Sequence, residues 1–347
     1  MRAALERTFT AAWQRRGPLA VALWPLSRLY GALAARRQAR AVPQRLPVPV
    51  IVIGNVVAGG AGKTPATLAV AQHLLARGWR PGIVSRGHGR ASRACLPVQP
   101  GSDPREVGDE PLLLRRRAGV PVQVAPCRAE AGRALLAAHP QVNILLCDDG
   151  LQHHALARDV EICVFDGRGI GNGWLLPAGP LREAWPRPVS LALFTEGRIS
   201  LAAAGLPCPA FAATRRLASS ACRANGQGVP LARLRGQSVV ALAGIARPQA
   251  FFDMLCAEGL TLARTIALPD HAPLERLPPL PPQEAALPLL CTEKDAAKLW
   301  PHAPQALAVP LRLQAPAAFF DALDALLPPP PGNQPDAALP QSPLSPP

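Results

Sequence analysis

Apolar positions fall into short continuous runs separated by helix-period stretches. The runs are residues 48–53, Pro81–Ser85, Val120–Ala125, Val142–Cys147, Glu161–Phe165 and Ser190–Phe194. Each is strand length, and none alternates strictly with polar residues, so both faces of each strand should be covered. Between them, Leu68, Ala71, Leu74 and Leu75 recur at helical spacing up to Gly78, and a second helix is predicted near Ala129–Ala138. Strands alternating with helices predict an α/β fold with a parallel sheet sandwiched by helices. In such sheets ligands bind beyond the carboxyl ends of the strands.

The pattern repeats more weakly toward the carboxyl end. Strands are predicted at Ser238–Ala243, Leu260–Ile266 and Leu287–Cys291, with helices at Pro248–Glu258 and Pro316–Leu327. Residues 215–236 carry no clear pattern and read as a linker. From Pro328 the chain is dominated by proline and cannot bury enough surface to offset its ordering entropy, so disorder is expected. The expected organisation is a helical segment at 1–44, a core at 45–225, a smaller α/β unit at 226–327 and a tail at 328–347.

Residues 1–40 read as two helical pieces broken at Gly17-Pro18, with Pro25 expected to kink or restart the second. Leu19, Leu23, Leu26, Tyr30 and Leu33 share a face, and Arg15, Arg16, Arg28, Arg36, Arg37 and Arg40 supply charge. Two readings remain open at this point: an interfacial helix on an anionic leaflet, or a helix packed on the core with a solvated basic face. The apolar stretch Leu19–Trp24 is too short for a secretory signal, and no run of about 20 apolar residues suits a membrane span.

Candidate chemistry centres on Val50–Thr67, VIVIGNVVAGGAGKTPAT. A buried strand, a glycine-rich turn and a helix start form a P-loop, whose backbone N–H groups cradle phosphate oxygens. Gly59, Gly60, Ala61 and Gly62 form the cradle, Lys63 adds a point charge, and Thr64 offers a hydroxyl to Mg²⁺. The first glycine of the strict pattern is replaced by Val57. Some 80 residues on, Ile144-Leu145-Leu146-Cys147-Asp148 has the Walker B form, an apolar strand delivering a carboxylate toward a metal. Asp149, followed by Gly150, reads as a turn residue. For a proton acceptor the sequence offers too many acids. Asp109-Glu110 lies in a polar turn where Asp109 would ordinarily cap a helix; Asp270-His271 could be an acid–histidine pair; His153 and His154 follow the Walker B acid.

Composition narrows the partners. The 347 residues exceed what one hydrophobic core usually organises. The formal charge is +14, yet only Lys63, Lys294 and Lys298 are lysine, so the charge is an arginine bias of the whole chain. No basic run is interleaved with aromatics, so nucleic acid is not expected as a partner; anionic lipid or a phosphorylated substrate fits the charge. Eight cysteines form no CxxC pair and read as reduced core residues.

Together these pieces resemble one family, tetraacyldisaccharide 4′-kinase, the lipid A 4′-kinase. The resemblance rests on Gly54–Pro65 (GNVVAGGAGKTP), Ser85–Gly89 (SRGHG), Gly108–Pro111 (GDEP), Asp148–His153 (DDGLQH), Gly171–Glu183 (GNGWLLPAGPLRE), Pro269–His271 (PDH) and Thr292–Lys298 (TEKDAAK), in the family's order. His88 replaces an expected tyrosine, and Ala184-Trp185 replaces an expected proline. The resemblance implies ATP-dependent phosphorylation of the 4′-hydroxyl of a tetraacylated glucosamine disaccharide 1-phosphate. It implies Asp109 as proton acceptor paired with His271, and Lys63 and Thr64 serving ATP and Mg²⁺. Asp148 and Glu183 would lie near the metal, with Arg182 as a phosphate contact. It also implies peripheral attachment to the cytoplasmic face of the inner membrane through the N-terminal helix, with no obligate protein partner. The rival from the P-loop alone is a switch ATPase at the membrane surface; no Asn-Lys-x-Asp guanine signature is present.

Overall fold

The computed structural model describes residues 12–199, 206, 208–269, 272, 274 and 280–330. Eight strands form the first sheet: β1 (Val50–Gly54), β2 (Pro81–Ser85), β3 (Leu96–Val98), β4 (Val122–Val124), β5 (Ile144–Asp148), β6 (Val160–Phe165), β7 (Leu191–Phe194) and β8 (Ala210–Ala212). Their order is β3-β4-β2-β5-β1-β6-β7-β8, and only the edge strand β3 runs antiparallel. The period-two rule divides β1 between two half-cores. Ile51 and Ile53 pack toward helices α2 (Lys63–Ala76) and α3 (Asp109–Ala118), while Val50 and Val52 pack toward α4 (Arg128–Ala138). Both faces are covered, which is why the strands read as continuous apolar runs.

A two-stranded antiparallel ribbon, β9 (Thr214–Leu217) with β16 (Leu311–Gln314), carries the chain out of this layer and back. Between them lies a second sheet built from β10 (Ser220–Cys222), β11 (Gly228–Pro230), β12 (Ser238–Ala243), β13 (Thr261–Ala267), β14 (Leu289–Thr292) and β15 (Leu307–Val309), in the order β11-β10-β15-β14-β12-β13. Helix α5 (Pro248–Ala257) covers one face and α6 (Glu293–Leu299) the other.

The structure departs from the sequence-based expectations in several places. Residues 215–236 are not a structureless linker: β9, β10 and β11 lie there. These strands have three or four residues, too few for a period to register, and Arg215 and Arg216 interrupt the apolar pattern. The last helix, α7 (Ala317–Asp324), belongs to the first layer rather than the second. Phe319 and Leu323 are fully buried among residues of the first core, and Asp324 bonds His73 of α2 at 2.8 Å. A helix–strand pattern states that a face is buried and not which sheet buries it.

Helix α1 (Pro18–Arg40) runs without a break through Pro25. Proline removes the bond to the carbonyl four residues back, and that residue, Val21, is 55% exposed, so water can satisfy the freed oxygen. Cys147, Cys163 and Cys291 are buried as expected, whereas Cys256 is exposed; all eight are free thiols. No helix among the described residues is long and apolar enough to cross a membrane.

Candidate active site

Parallel pairing brings the strand ends to one edge. Ile53 lies in register with Asp148, and Val84 with Cys147, so the P-loop, the Walker B acid and the Ser85 loop emerge side by side. Gly59 and Gly62 take φ of +93° and +86°, conformations open to glycine at little cost. Gly62 is the N-cap of α2 and no side chain caps that helix, so its positive end faces the loop. Ala61 is buried, Thr64 half-buried in the first turn, and Gly60 exposed. Lys63 is 9% exposed and points its Nζ at Asn55 Oδ1 (3.4 Å) and Asp149 Oδ1 (3.7 Å).

Asp148 is buried at the end of β5, where it accepts from Thr67 Oγ1 at 3.1 Å and Ser85 Oγ at 3.4 Å. Burial first, then the nearby carboxylates Glu110 and Asp149, raise its pKa to about 7 against the opposing pull of Lys63 and Thr67. Glu110 therefore belongs to this cluster, although the sequence nominated it only as a neighbour of Asp109. Asp149 is more than a turn residue. It sits at φ +49° and pairs with Arg182 at 3.1 Å as well as Lys63, and these cations hold its carboxyl below the usual range against burial.

The segment Gly171–Glu183 reaches the site by pairing with the P-loop flank. Val57 bridges Leu181, Ala58 N–H donates to the Pro180 carbonyl, and Arg182 N–H donates to the Val56 carbonyl at 2.7 Å. Arg182 thus faces the Asp149 carboxylate and Gln152. Glu183 accepts from Gln152 Nε2 at 2.6 Å and pairs with Arg187 at 3.0 Å. Arg168, which the sequence did not single out, pairs with buried Asp166 and donates to the Ala58 and Gly60 carbonyls at 3.3 and 3.0 Å, bracing the loop.

Asp109 is delivered by glycine-to-glycine packing. A Cβ on Gly108 would meet Gly87 Cα at 3.1 Å, and one on Gly87 would meet the Val107 carbonyl at 2.7 Å. The SRGHG loop after β2 and the GDEP turn therefore touch backbone to backbone. Gly108, not Asp109, is the N-cap of α3, so the expected capping role does not hold. Instead the Asp109 carboxylate, 7% exposed, pairs with Lys298 of α6 at 2.5 Å. Asp270 and His271 lie outside the described residues. His153 accepts from the Arg128 backbone N–H at 3.2 Å and is half-buried; desolvation, then Arg128 and Arg158, lower its pKa to about 4. It is a neutral structural acceptor at physiological pH, and nothing in its contacts turns it toward the P-loop.

The donor set suits a hard cation. Asp148, with Glu110 and Asp149 close enough to raise its pKa, offers carboxylate oxygens, and a buried carboxylate with a raised pKa is short of positive charge. Among the described residues no three His, Cys, Asp or Glu side chains form a ready cage. Mg²⁺ keeps waters and phosphate oxygens in its shell and does not require such a cage.

The family model for tetraacyldisaccharide-1-P 4′-kinase matches residues 19–328. The tetraacyldisaccharide 4′-kinase of Acidovorax sp. (strain JS42) is 58% identical over 334 residues, covering 93% of this chain and 95% of its own. That of Delftia acidovorans is 54% identical over 327 residues, covering 92% and 94%. The crystal structure of the "apo" form of LpxK from Aquifex aeolicus in complex with ATP superposes with a TM-score of 0.75 at 26% identity, covering 89% of this chain and 99% of that one. The chain belongs to the tetraacyldisaccharide-1-P 4′-kinase family, the kinases of lipid A biosynthesis.

Proposed function

We propose that the site transfers the γ-phosphoryl group of ATP to the 4′-hydroxyl of a tetraacyldisaccharide 1-phosphate, giving ADP and lipid IVA. The observation that carries the reading is the convergence of the P-loop, Asp148 and the Asp109 turn at one sheet edge. Gly59, Gly60, Ala61, Gly62, Lys63 and Thr64 hold the phosphates. Thr64 and Asp148, with Glu183, would hold Mg²⁺, which would offset phosphate charge. The 4′-oxygen attacks the γ-phosphorus, the bond to the β–γ bridging oxygen breaks, and the hydroxyl proton passes to the Asp109 carboxylate. His271 assists Asp109 from the second unit. Lys63 and Arg182 stabilise charge on the transferring group. Arg128, 5% exposed, donates to the Asp149 carbonyl at 3.1 Å and lies near enough to Arg90 for their charges to repel; this pair of cations suits the substrate's 1-phosphate.

The outward face of α1 supports a leaflet surface as partner. Leu19, Val21, Trp24, Leu26, Leu29 and Leu33 are 41–58% exposed, while Ala20 and Ser27 face the protein. Flanked by arginines, such a face suits peripheral attachment to an anionic leaflet, on the cytoplasmic side of the inner membrane. The test is transfer of γ-labelled phosphate from ATP to the disaccharide acceptor, read on thin-layer plates. Labelled lipid is the expected result; inorganic phosphate released without labelled lipid would instead favour a switch ATPase.

A further inference from the structure

The TEKDAAK segment has no role in the reaction as drawn above, yet its helix is seated on the Asp109 turn. Helix α6 follows β14 of the second sheet, and its start is fixed from within that unit. Thr292 accepts from the Asp295 N–H, and Asp295 Oδ2 accepts from Thr292 Oγ1 at 2.6 Å and from the Gly244 N–H at 2.9 Å. Lys294 and Lys298 stand four residues apart and so share one face of α6. That face meets the first turn of α3: Lys294 pairs with Glu110 at 3.4 Å, and Lys298 with Asp109 Oδ2 at 2.5 Å. A third pair, Arg117 with Glu293, closes the far end of the same helix contact.

We infer that Lys298 is a positioning residue for the proton acceptor: its ammonium holds the Asp109 carboxylate charged and aimed, so that the acceptor is competent only while α6 of the second unit is docked on α3. The inference rests on the reading of Asp109 as that acceptor. Asp109 is 7% exposed and Lys298 19%, so the pair is screened little by water. A carboxylate taken out of water without a cation favours its protonated form, and a protonated acid cannot take the acceptor's proton. Lysine suits this as a point charge on a flexible stem. The pair joins the GDEP turn of the first unit to the TEKDAAK segment of the second.

A plain helix clamp predicts something different, and the Arg117 pair supplies the control. Lys298→Met, Lys298→Arg and Arg117→Met are made in the full chain, and Lys298→Met also in an Asp109→Asn background. Melting temperature, ATP binding, kcat and KM are measured for each. The expected result is a kcat loss on the order of 10²-fold for Lys298→Met with ATP binding within about threefold of the parent. Lys298→Arg recovers most of that loss, and in the Asp109→Asn background Lys298→Met costs less than about threefold more. Arg117→Met lowers the melting temperature with kcat within about threefold. A Lys298→Met kcat within twofold of the parent, or an equal fractional loss in both backgrounds, overturns the inference. If Lys298→Met does not fold, Lys298→Gln, which keeps a donor without the charge, is judged by the same outcomes. Near-normal turnover by Asp109→Asn itself would instead remove the acceptor assignment, and is distinguishable because it needs no Lys298 variant.

Discussion

At the residue scale, the site is a balance of buried charges. Lys63 is pinned between Asn55 and Asp149, and Arg182 shares Asp149 with it. Lys63→Ala should lower kcat/KM on the order of 10²-fold or more by removing charge stabilisation that grows in the transition state. Unchanged steady-state kinetics would contradict the P-loop reading. Asp148 gives a pH signature. Its pKa is raised to about 7, so without a cation it is largely protonated at pH 6 and ionised at pH 8. A metal must displace that proton, so apparent Mg²⁺ affinity falls as pH drops through 7, by about tenfold between pH 8 and pH 6. Titrating activity against Mg²⁺ at the two pH values measures this, and the dependence should vanish in Asp148→Asn. These charges were only partly legible in the sequence. Lys63 and Asp148 announce themselves through local motifs. Arg168, Gln152, Glu110 and Lys298 do not, because these partners lie from 31 to 189 positions away and no spacing rule connects them.

At the scale of elements, two arrangements position the site. The first is the contact between the loop after β2 and the turn before α3. Gly87→Ala places a methyl against the Val107 carbonyl at 2.7 Å, on a residue with φ of +67°. The cost is on the order of 1–3 kcal/mol, and the Asp109 turn must shift. Melting temperature and kcat should fall together, and a variant with parental values of both would show the contact to be slack. The second is α1. Its Tyr30 hydroxyl donates to the Arg182 carbonyl at 2.9 Å and Ser27 Oγ to the Leu175 carbonyl at 2.7 Å, which fixes one face inward. Replacing Leu26, Leu29 and Leu33 with glutamate should then leave the fold intact and reduce binding to anionic vesicles by at least tenfold. Vesicle co-sedimentation at parental levels would contradict the leaflet reading. The sequence grouped Tyr30 with Leu19, Leu26 and Leu33 on one face, but in the structure Tyr30 turns inward while the three leucines are exposed. The buried side is built from Ala20 and Ser27, small residues that a search for large apolar side chains passes over.

At the scale of the molecule, two sheets are joined by the β9–β16 ribbon and meet again across the site. Arg247 of the second unit pairs with Glu196 and lies 3.9 Å from Asp166, beside the Arg168 brace on the P-loop. The α6–α3 pairs of Glu293, Lys294 and Lys298 make the second crossing. The parallel core was legible because long apolar strands and helix periods agree with each other. The ribbon, the edge strands and the return of α7 were not, because three-residue strands carry no period and a buried helical face does not name its partner. On the proposed mechanism, transfer needs the Asp109 carboxylate from α3 and the phosphate loop after β1 in the same place. The most direct test is a single-turnover transfer of γ-labelled phosphate to the disaccharide acceptor by the parent and by Asp109→Ala, with ATP binding measured alongside. A drop in transfer on the order of 10²-fold or more with ATP binding intact is predicted. Transfer by Asp109→Ala at close to the parental rate would contradict the account.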